Sequence, residues 1–350
     1  MSRFFAGKLA SLKEYTPGEQ PKDQVYIKLN TNESPYPPSN GVIEAVNSKE
    51  VELLRLYPDP DCTKLKEKIA SLYGVEKENV FVSNGSDDIL NFAFLAFGEG
   101  GAAFADITYG FYKVFAALHG VKSQIMPLES DFSIDPKKYY GLNKFIAIAN
   151  PNAPTGLFID PSEIEKVAVN NPDSVVLVDE AYVDFGGKSC IPLTKKLDNL
   201  LVVATYSKSR SLAGARLGYA IGNKELISDL EKIKFSTNPY SINRLTLLAG
   251  EAAIDDDNYY KANCQRIIEA REYAKSELEK LGFYVTDSKA NFLFARSPDI
   301  SGKELYLKLR EKGILVRHFD DEKITDFNRI TVGTMEEMQT LVKAVKEILG

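Results

Sequence analysis

The sequence predicts an α/β fold: a mostly parallel central sheet in a large domain, with a smaller α+β domain beside it. Short apolar runs of strand length recur along the first two-thirds of the chain, and helical patterns separate most of them. After Lys224 the rhythm changes to one long polar-apolar helical stretch followed by shorter strands and helices.

Taken in order, the strand candidates are Val80–Ser83, Ala102–Asp106, Phe145–Ala149, Val175–Val178, Leu200–Thr205 and Leu217–Ile221. Helical periodicity fills Asp87–Phe97, Phe111–Leu118 and Ser162–Val169. The long helix is expected over about 259–281. Further strands are expected at Tyr284–Thr286, Phe292–Ala295, Ile314–Arg317 and Arg329–Val332, with helices at Gly302–Lys312 and Met335–Leu349. The stretch NTNESPYPPSNG, from Asn30 to Gly41, is extended or looped, because proline disfavours helix at and before its own position.

At 350 residues the chain can bury a sizeable core, and 44% hydrophobic with 26% charged residues is a globular composition. A net charge of −6 without a basic run argues against nucleic acid. No apolar stretch is long enough to cross a bilayer, and the N-terminus lacks a signal-peptide core. Cys62, Cys190 and Cys264 are scattered and odd in number, which suits a reducing cytoplasm. Two histidines cannot build a multi-histidine metal site, so no metal is expected.

In open α/β sheets ligands bind beyond the carboxyl ends of the strands, so the residues that follow each apolar run matter. Val80–Ser83 leads into Asn84-Gly85-Ser86-Asp87, a helix start that can cradle an anion. Phe145–Ala149 leads into Asn150-Pro151-Asn152-Ala153-Pro154-Thr155-Gly156, a rigid turn. Val175–Val178 leads into Asp179-Glu180-Ala181-Tyr182, and a buried acid needs a partner. Leu200–Ala204 leads into Thr205-Tyr206-Ser207-Lys208, with Arg216 beyond. Each alone is an ordinary cap or turn. Together they place an anion cradle, an acid, a phenol and an amine at one end of successive strands. No Gly-x-Gly-x-x-Gly follows an early strand, and Walker-type Gly-Lys-Ser/Thr is missing. Pyridoxal 5′-phosphate fits this set: it needs a lysine, an acid for its ring nitrogen and a phosphate cradle.

The run Thr205–Gly214, with NPNAPTG and VLVDEAYVDF, resembles the fold-type I pyridoxal-phosphate aminotransferases over essentially the whole chain. YTPG (Tyr15–Gly18), LNTNESPYPPS, YPDPDCTKLKEKIA, GILVRHF and RITVGTMEE resemble the histidinol-phosphate branch. The resemblance implies an aspartate-aminotransferase-like fold, with residues 43–255 as the cofactor domain and residues 1–42 plus 256–350 as an N-terminal arm and small domain. It implies amino transfer between L-histidinol phosphate and 2-oxoglutarate by a ping-pong route. Lys208 would bond the cofactor and shuttle a proton. Asp179 would pair with the ring nitrogen, and Tyr182 with the ring's 3′ oxygen. Gly85, Ser86, Asp87, Ser207 and Arg216 would hold the phosphate, Asn152 would add a cofactor contact, and Tyr109 would stack on the ring. Tyr57 would reach the cofactor phosphate of a neighbouring subunit, which makes the enzyme a homodimer. Arg329 and Arg317 would bind substrate anions. Asn32 and Glu33 would line the substrate pocket.

Two positions depart from the family pattern. Ala153 stands where most relatives carry an asparagine that assists the 3′ oxygen, so Tyr182 is expected to carry more of that contact. Arg210 replaces an apolar residue and faces either the phosphate or solvent. The rival readings are an aromatic or other amino-acid aminotransferase, a threonine-phosphate decarboxylase, and a non-catalytic regulator that binds an effector. The acidic charge and the lack of a basic helix weigh against the last.

Overall fold

The computed structural model describes residues 4–350. Thirteen strands follow the chain. A short β1 (Ile27–Lys28) precedes β2 (Val80–Ser83), β3 (Ala102–Ala105), β4 (Ser123–Met126), β5 (Phe145–Ala149), β6 (Val176–Asp179), β7 (Leu200–Thr205) and β8 (Gly218–Ile221). Then come β9 (Tyr284–Val285), β10 (Phe292–Arg296), β11 (Ile314–Leu315), β12 (Arg317–His318) and β13 (Asn328–Thr331).

Strands β2 to β8 form one seven-stranded sheet in the order β2-β8-β7-β6-β5-β3-β4. Only β8 runs against its neighbours, so the sheet is mostly parallel as expected. Helices cover both faces, which explains why the strands read as unbroken apolar runs. Alternate residues serve opposite cores: Val176, Val178, Leu200 and Val202 face one, while Leu177, Leu201 and Val203 face the other.

The second sheet is antiparallel in the order β12-β13-β10-β9. Its core gathers Phe292, Leu293, Ile330 and Val332 with Leu341 of the last helix, and it takes in Leu29 from the other end of the chain. The long helix spans Asp257–Lys280, and its face carrying Ile267, Ala270, Ala274 and Leu278 seals this core.

Several local features differ from the expectation, among them the strand expected at Arg329–Val332, which runs from Asn328 to Thr331. The strand expected at Val175–Val178 sits one residue later, so Asp179 is itself a ladder residue, opposite Val203. The strand expected over Ile314–Arg317 divides at Val316: β11 pairs with β1, and β12 pairs with β13. The edge strand β4 was not anticipated, because its SQIM sequence is half polar and its outer positions face solvent.

Candidate active site

The carboxyl ends of β2, β5, β6 and β7 lie along one edge of the large sheet, and β13 of the small sheet closes over them. The helix Ser86–Phe97 starts at this edge. Its N-cap is Gly85, which supplies no side chain to cap the first turn, so the N–H groups there remain available to an anion. Gly85 has φ +84°, and a Cβ on it would come within 2.8 Å of the Arg216 guanidinium. A Cβ on Gly218 would come within 2.4 Å of the Ser86 nitrogen, so only glycine lets the β8 backbone pass this close.

Arg216 follows the short turn Ala213–Ala215 with φ +54°, a left-handed conformation that is costly for a side chain with a Cβ. Its Nη2 donates to Asp87 Oδ2 at 2.9 Å, and Tyr109 Oη donates to Asp87 Oδ1 at 2.7 Å. Burial, together with Asp87, pushes the Tyr109 phenol well above its ordinary range, so it stays a donor. Ser207 is buried beside them at the end of β7, its N–H donating to Thr205 Oγ1 at 3.1 Å.

Lys208 projects into the cleft. Its Nζ donates to the Thr31 carbonyl at 3.3 Å and lies 5.8 Å from the Tyr182 ring centre. Burial, then Arg329, lowers the amine to about 8, with Arg216 adding to the effect and Glu33 and Asp87 opposing it. Asp179 is buried. Burial pushes its carboxyl up to about 6 although it accepts from Tyr112 Oη at 3.0 Å and from the Ala181 N–H at 3.2 Å. Tyr182 Oη accepts from Asn32 Nδ2 at 3.0 Å, and its ring meets Phe292 edge-on at 5.0 Å.

From β13 of the four-stranded sheet, Arg329 spans Phe292 and Phe319 at 5.5 and 6.0 Å and donates to the Asn30 carbonyl at 2.9 Å. Its Nε is buried and has no hydrogen-bond partner among the described residues. Arg317 donates to the Thr16 and Pro17 carbonyls at 3.2 Å. Thus Lys208, Asp179, Tyr182, Gly85, Ser86, Asp87, Tyr109, Ser207, Arg216, Asn32, Arg329 and Arg317 converge on one cleft.

Other expected residues sit differently. Both ends of the Asn152 amide are engaged within the protein: Oδ1 accepts from Thr108 Oγ1 at 2.8 Å, and Nδ2 donates to the Ile107 carbonyl at 2.9 Å. Asn152 therefore braces the turn in which Ala153 lies buried. Glu33 pairs with Lys28 at 2.6 Å and stays near enough to Lys208 to act on its amine. Arg210 turns away from the cleft, donating to the Ala253 carbonyl at 2.8 Å and pairing with Asp257. Tyr57 is 80% exposed, outside its own chain's cleft, and stacks on Tyr240 at 4.5 Å.

The sequence reading missed Tyr112, the partner of Asp179, and Thr331, which meets Asn32. Tyr112 carried a signal: a tyrosine on the buried face of a helix needs a partner for its hydroxyl. Tyr15 was noted only within a motif, yet it stacks on Phe111 at 4.2 Å at the cleft mouth.

The profile of the family "Aminotransferase class I and II" matches residues 24–345. The chain belongs to that family. A histidinol-phosphate aminotransferase of Brachyspira hyodysenteriae is 50% identical over 352 residues, covering 100% of this chain and 99% of the relative. One of a Marinomonas species is also 50% identical, covering 99% of this chain and 100% of the relative. Among solved structures, histidinol-phosphate aminotransferase from Sinorhizobium meliloti in complex with pyridoxal-5′-phosphate superposes with a TM-score of 0.85 at 23% identity, covering 93% of this chain and 91% of that one. The residues present fit that cofactor: an uncapped helix start beside Arg216, a depressed lysine, and a buried carboxyl that forms no salt bridge among the described residues.

Proposed function

We propose that this enzyme moves an amino group between L-histidinol phosphate and 2-oxoglutarate, using pyridoxal 5′-phosphate. The observation that carries the reading is the pair Arg317 and Arg329, cross-strand neighbours of which Arg329 lies close enough to lower the Lys208 amine, a double positive charge suited to a donor with a phosphate. The full-length identity to histidinol-phosphate aminotransferases supports it.

When bound, the cofactor supplies an electron-poor ring that accepts the electron pair released at the substrate Cα. The chain does the rest. Lys208, its amine lowered to about 8, would carry the proton between the substrate Cα and the cofactor's C4′ atom. Asp179 holds a proton on the ring nitrogen; a cation placed against it returns its raised carboxyl to the ionised form. Tyr182 contacts the phenolic oxygen. Tyr109 covers one ring face. The first-turn amides at Gly85-Ser86-Asp87, with Ser207 and Arg216, hold the phosphate, Arg216 exchanging Asp87 for it. Asn152 keeps the turn that carries Ala153 in place, and Asn32 would line the pocket.

We also propose a cytoplasmic homodimer in which Tyr57 completes the neighbour's phosphate site. Ile43, Val51, Leu54, Leu56 and Tyr57 are all exposed in the single chain, an apolar segment that a second copy would cover. The three cysteines are free and buried, and no helix among the described residues is long and apolar enough to cross a membrane.

The deciding experiment mixes cofactor-loaded protein with L-histidinol phosphate alone and follows the visible absorption. Loss of the band, restored by 2-oxoglutarate, supports the reading. L-histidinol phosphate has no carboxyl group, so a second sample receives L-threonine O-phosphate: carbon dioxide released there, with no loss of the band from L-histidinol phosphate, would indicate a decarboxylase. Reaction with phenylalanine or tyrosine instead would move the substrate and keep the chemistry.

A further inference from the structure

The hydroxyl of Tyr182 lies at the end of a hydrogen-bond chain whose polarity is fixed. Asn32 Nδ2 donates to the Tyr182 oxygen at 3.0 Å. The other end of that amide, Oδ1, lies 2.9 Å from Thr331 Oγ1, and the same Oγ1 lies 2.9 Å from the Asn32 backbone nitrogen. A backbone N–H can only donate. Thr331 Oγ1 therefore accepts there, and its own proton has Asn32 Oδ1 as acceptor. Half a turn of the amide would bring Nδ2 to Thr331 and strand the threonine proton. Thr331 and Asn32 are 2% and 1% exposed, so water offers no substitute, and an unmade buried donor is costly. The amide thus keeps its NH₂ on Tyr182, and the Tyr182 proton must point away from Asn32.

We propose that Thr331 and Asn32 are positioning residues that set the direction of the Tyr182 hydroxyl proton, aiming it at the phenolic oxygen of the cofactor. This rests on the pyridoxal-phosphate reading above. Asn32 is held for the task at φ +57°, and Asn291 Nδ2 secures its carbonyl at 3.1 Å. Ala153, in the same buried cluster as Tyr182, has no side-chain donor, so the aim of this one proton matters more. Burial raises the Tyr182 phenol against the pull of Arg329, and it keeps its proton at working pH. The charged groups around Tyr182 are Lys208, Arg329, Asp179 and Asp87, contributed by both domains.

The test reads the pH midpoint of the bound cofactor's visible absorption in the holoenzyme. Thr331→Val removes both the acceptor and the donor at Oγ1. The midpoint is expected to rise by about 1 pH unit, as one hydrogen bond to the ionised oxygen is lost. Thr331→Ser keeps the hydroxyl and should retain the wild-type midpoint. Tyr182→Phe should raise the midpoint as well, and Thr331→Val added to it should change nothing more. A wild-type midpoint in Thr331→Val, in a protein that Tyr182→Phe does shift, overturns the proposal. So does an additive shift in the double variant. Should Thr331→Val fail to fold, Asn32→Asp replaces it: a carboxylate accepts from Tyr182 and draws the proton back, giving the same rise, and an unmoved midpoint is fatal to the idea. Wild-type protein that develops no visible band with pyridoxal phosphate would overturn the cofactor reading itself, and this inference with it.

Discussion

Arg317 and Arg329 are direct cross-strand partners on β12 and β13. Two like charges in that register repel each other, and Arg317 is one of the groups that lower the proton affinity of Arg329. An anion between them would relieve the repulsion. Arg317→Ala is therefore expected to stabilise the substrate-free protein slightly, by about 0.5 kcal/mol, while raising KM for the phosphorylated donor at least about tenfold. Denaturant titration and steady-state kinetics on one preparation check both signs.

Asp179 gives a pH-dependent stability. Its carboxyl is raised from the ordinary 3.8 to about 6 by burial, so the folded chain binds that proton more tightly than the unfolded one. The resulting stabilisation is complete below about pH 4 and is lost as the pH rises through 6. Asp179→Asn should therefore make the cofactor-free protein about 1–3 kcal/mol more stable at pH 8 and level with wild type at pH 4. Urea unfolding at the two pH values measures this, and the same variant should lose activity by about a thousandfold.

An amine adds to an aldehyde only in its neutral form, and the proposed attachment point for the cofactor is Lys208. With its value lowered to about 8, the rate at which cofactor-free protein takes up pyridoxal phosphate should climb about tenfold per pH unit below 8 and level off above it. Stopped-flow absorbance between pH 6 and pH 10 is the check; a rate still climbing at pH 10 would contradict the depressed amine.

Two arginines near the lysine should behave differently. Arg216→Ala is expected to weaken cofactor binding about ten- to a hundredfold. Arg210→Ala should leave that affinity unchanged, because its guanidinium serves Asp257 and the Ala253 carbonyl, and should lower stability instead, by about 3 kcal/mol. Equilibrium dialysis and thermal unfolding separate the two.

The buried half of this structure was legible because both faces of the sheet are covered. Runs such as Phe145–Ala149 and Leu200–Thr205 are continuous, and the strands have those bounds. Edge strand β4 lies half in water and left no such mark. Lys208, Asp179 and Arg216 stood out as charges at the ends of apolar runs. Tyr112 and Thr331 did not, since an uncharged buried residue reads as core until its partner is seen. The outcomes for Arg210 and Asn152 depended on side-chain direction, which a pattern of residue types does not encode.

Asn32 and Thr331, joined by two hydrogen bonds, are 299 residues apart. A chain emerging from the ribosome has made β2 to β8, with Gly85, Lys208 and Arg216, while β13 is still unmade. Such a nascent chain has neither Thr331 to fix the Asn32 amide nor Arg329 to lower Lys208. The cluster around Tyr182 is thus complete only at the end of translation.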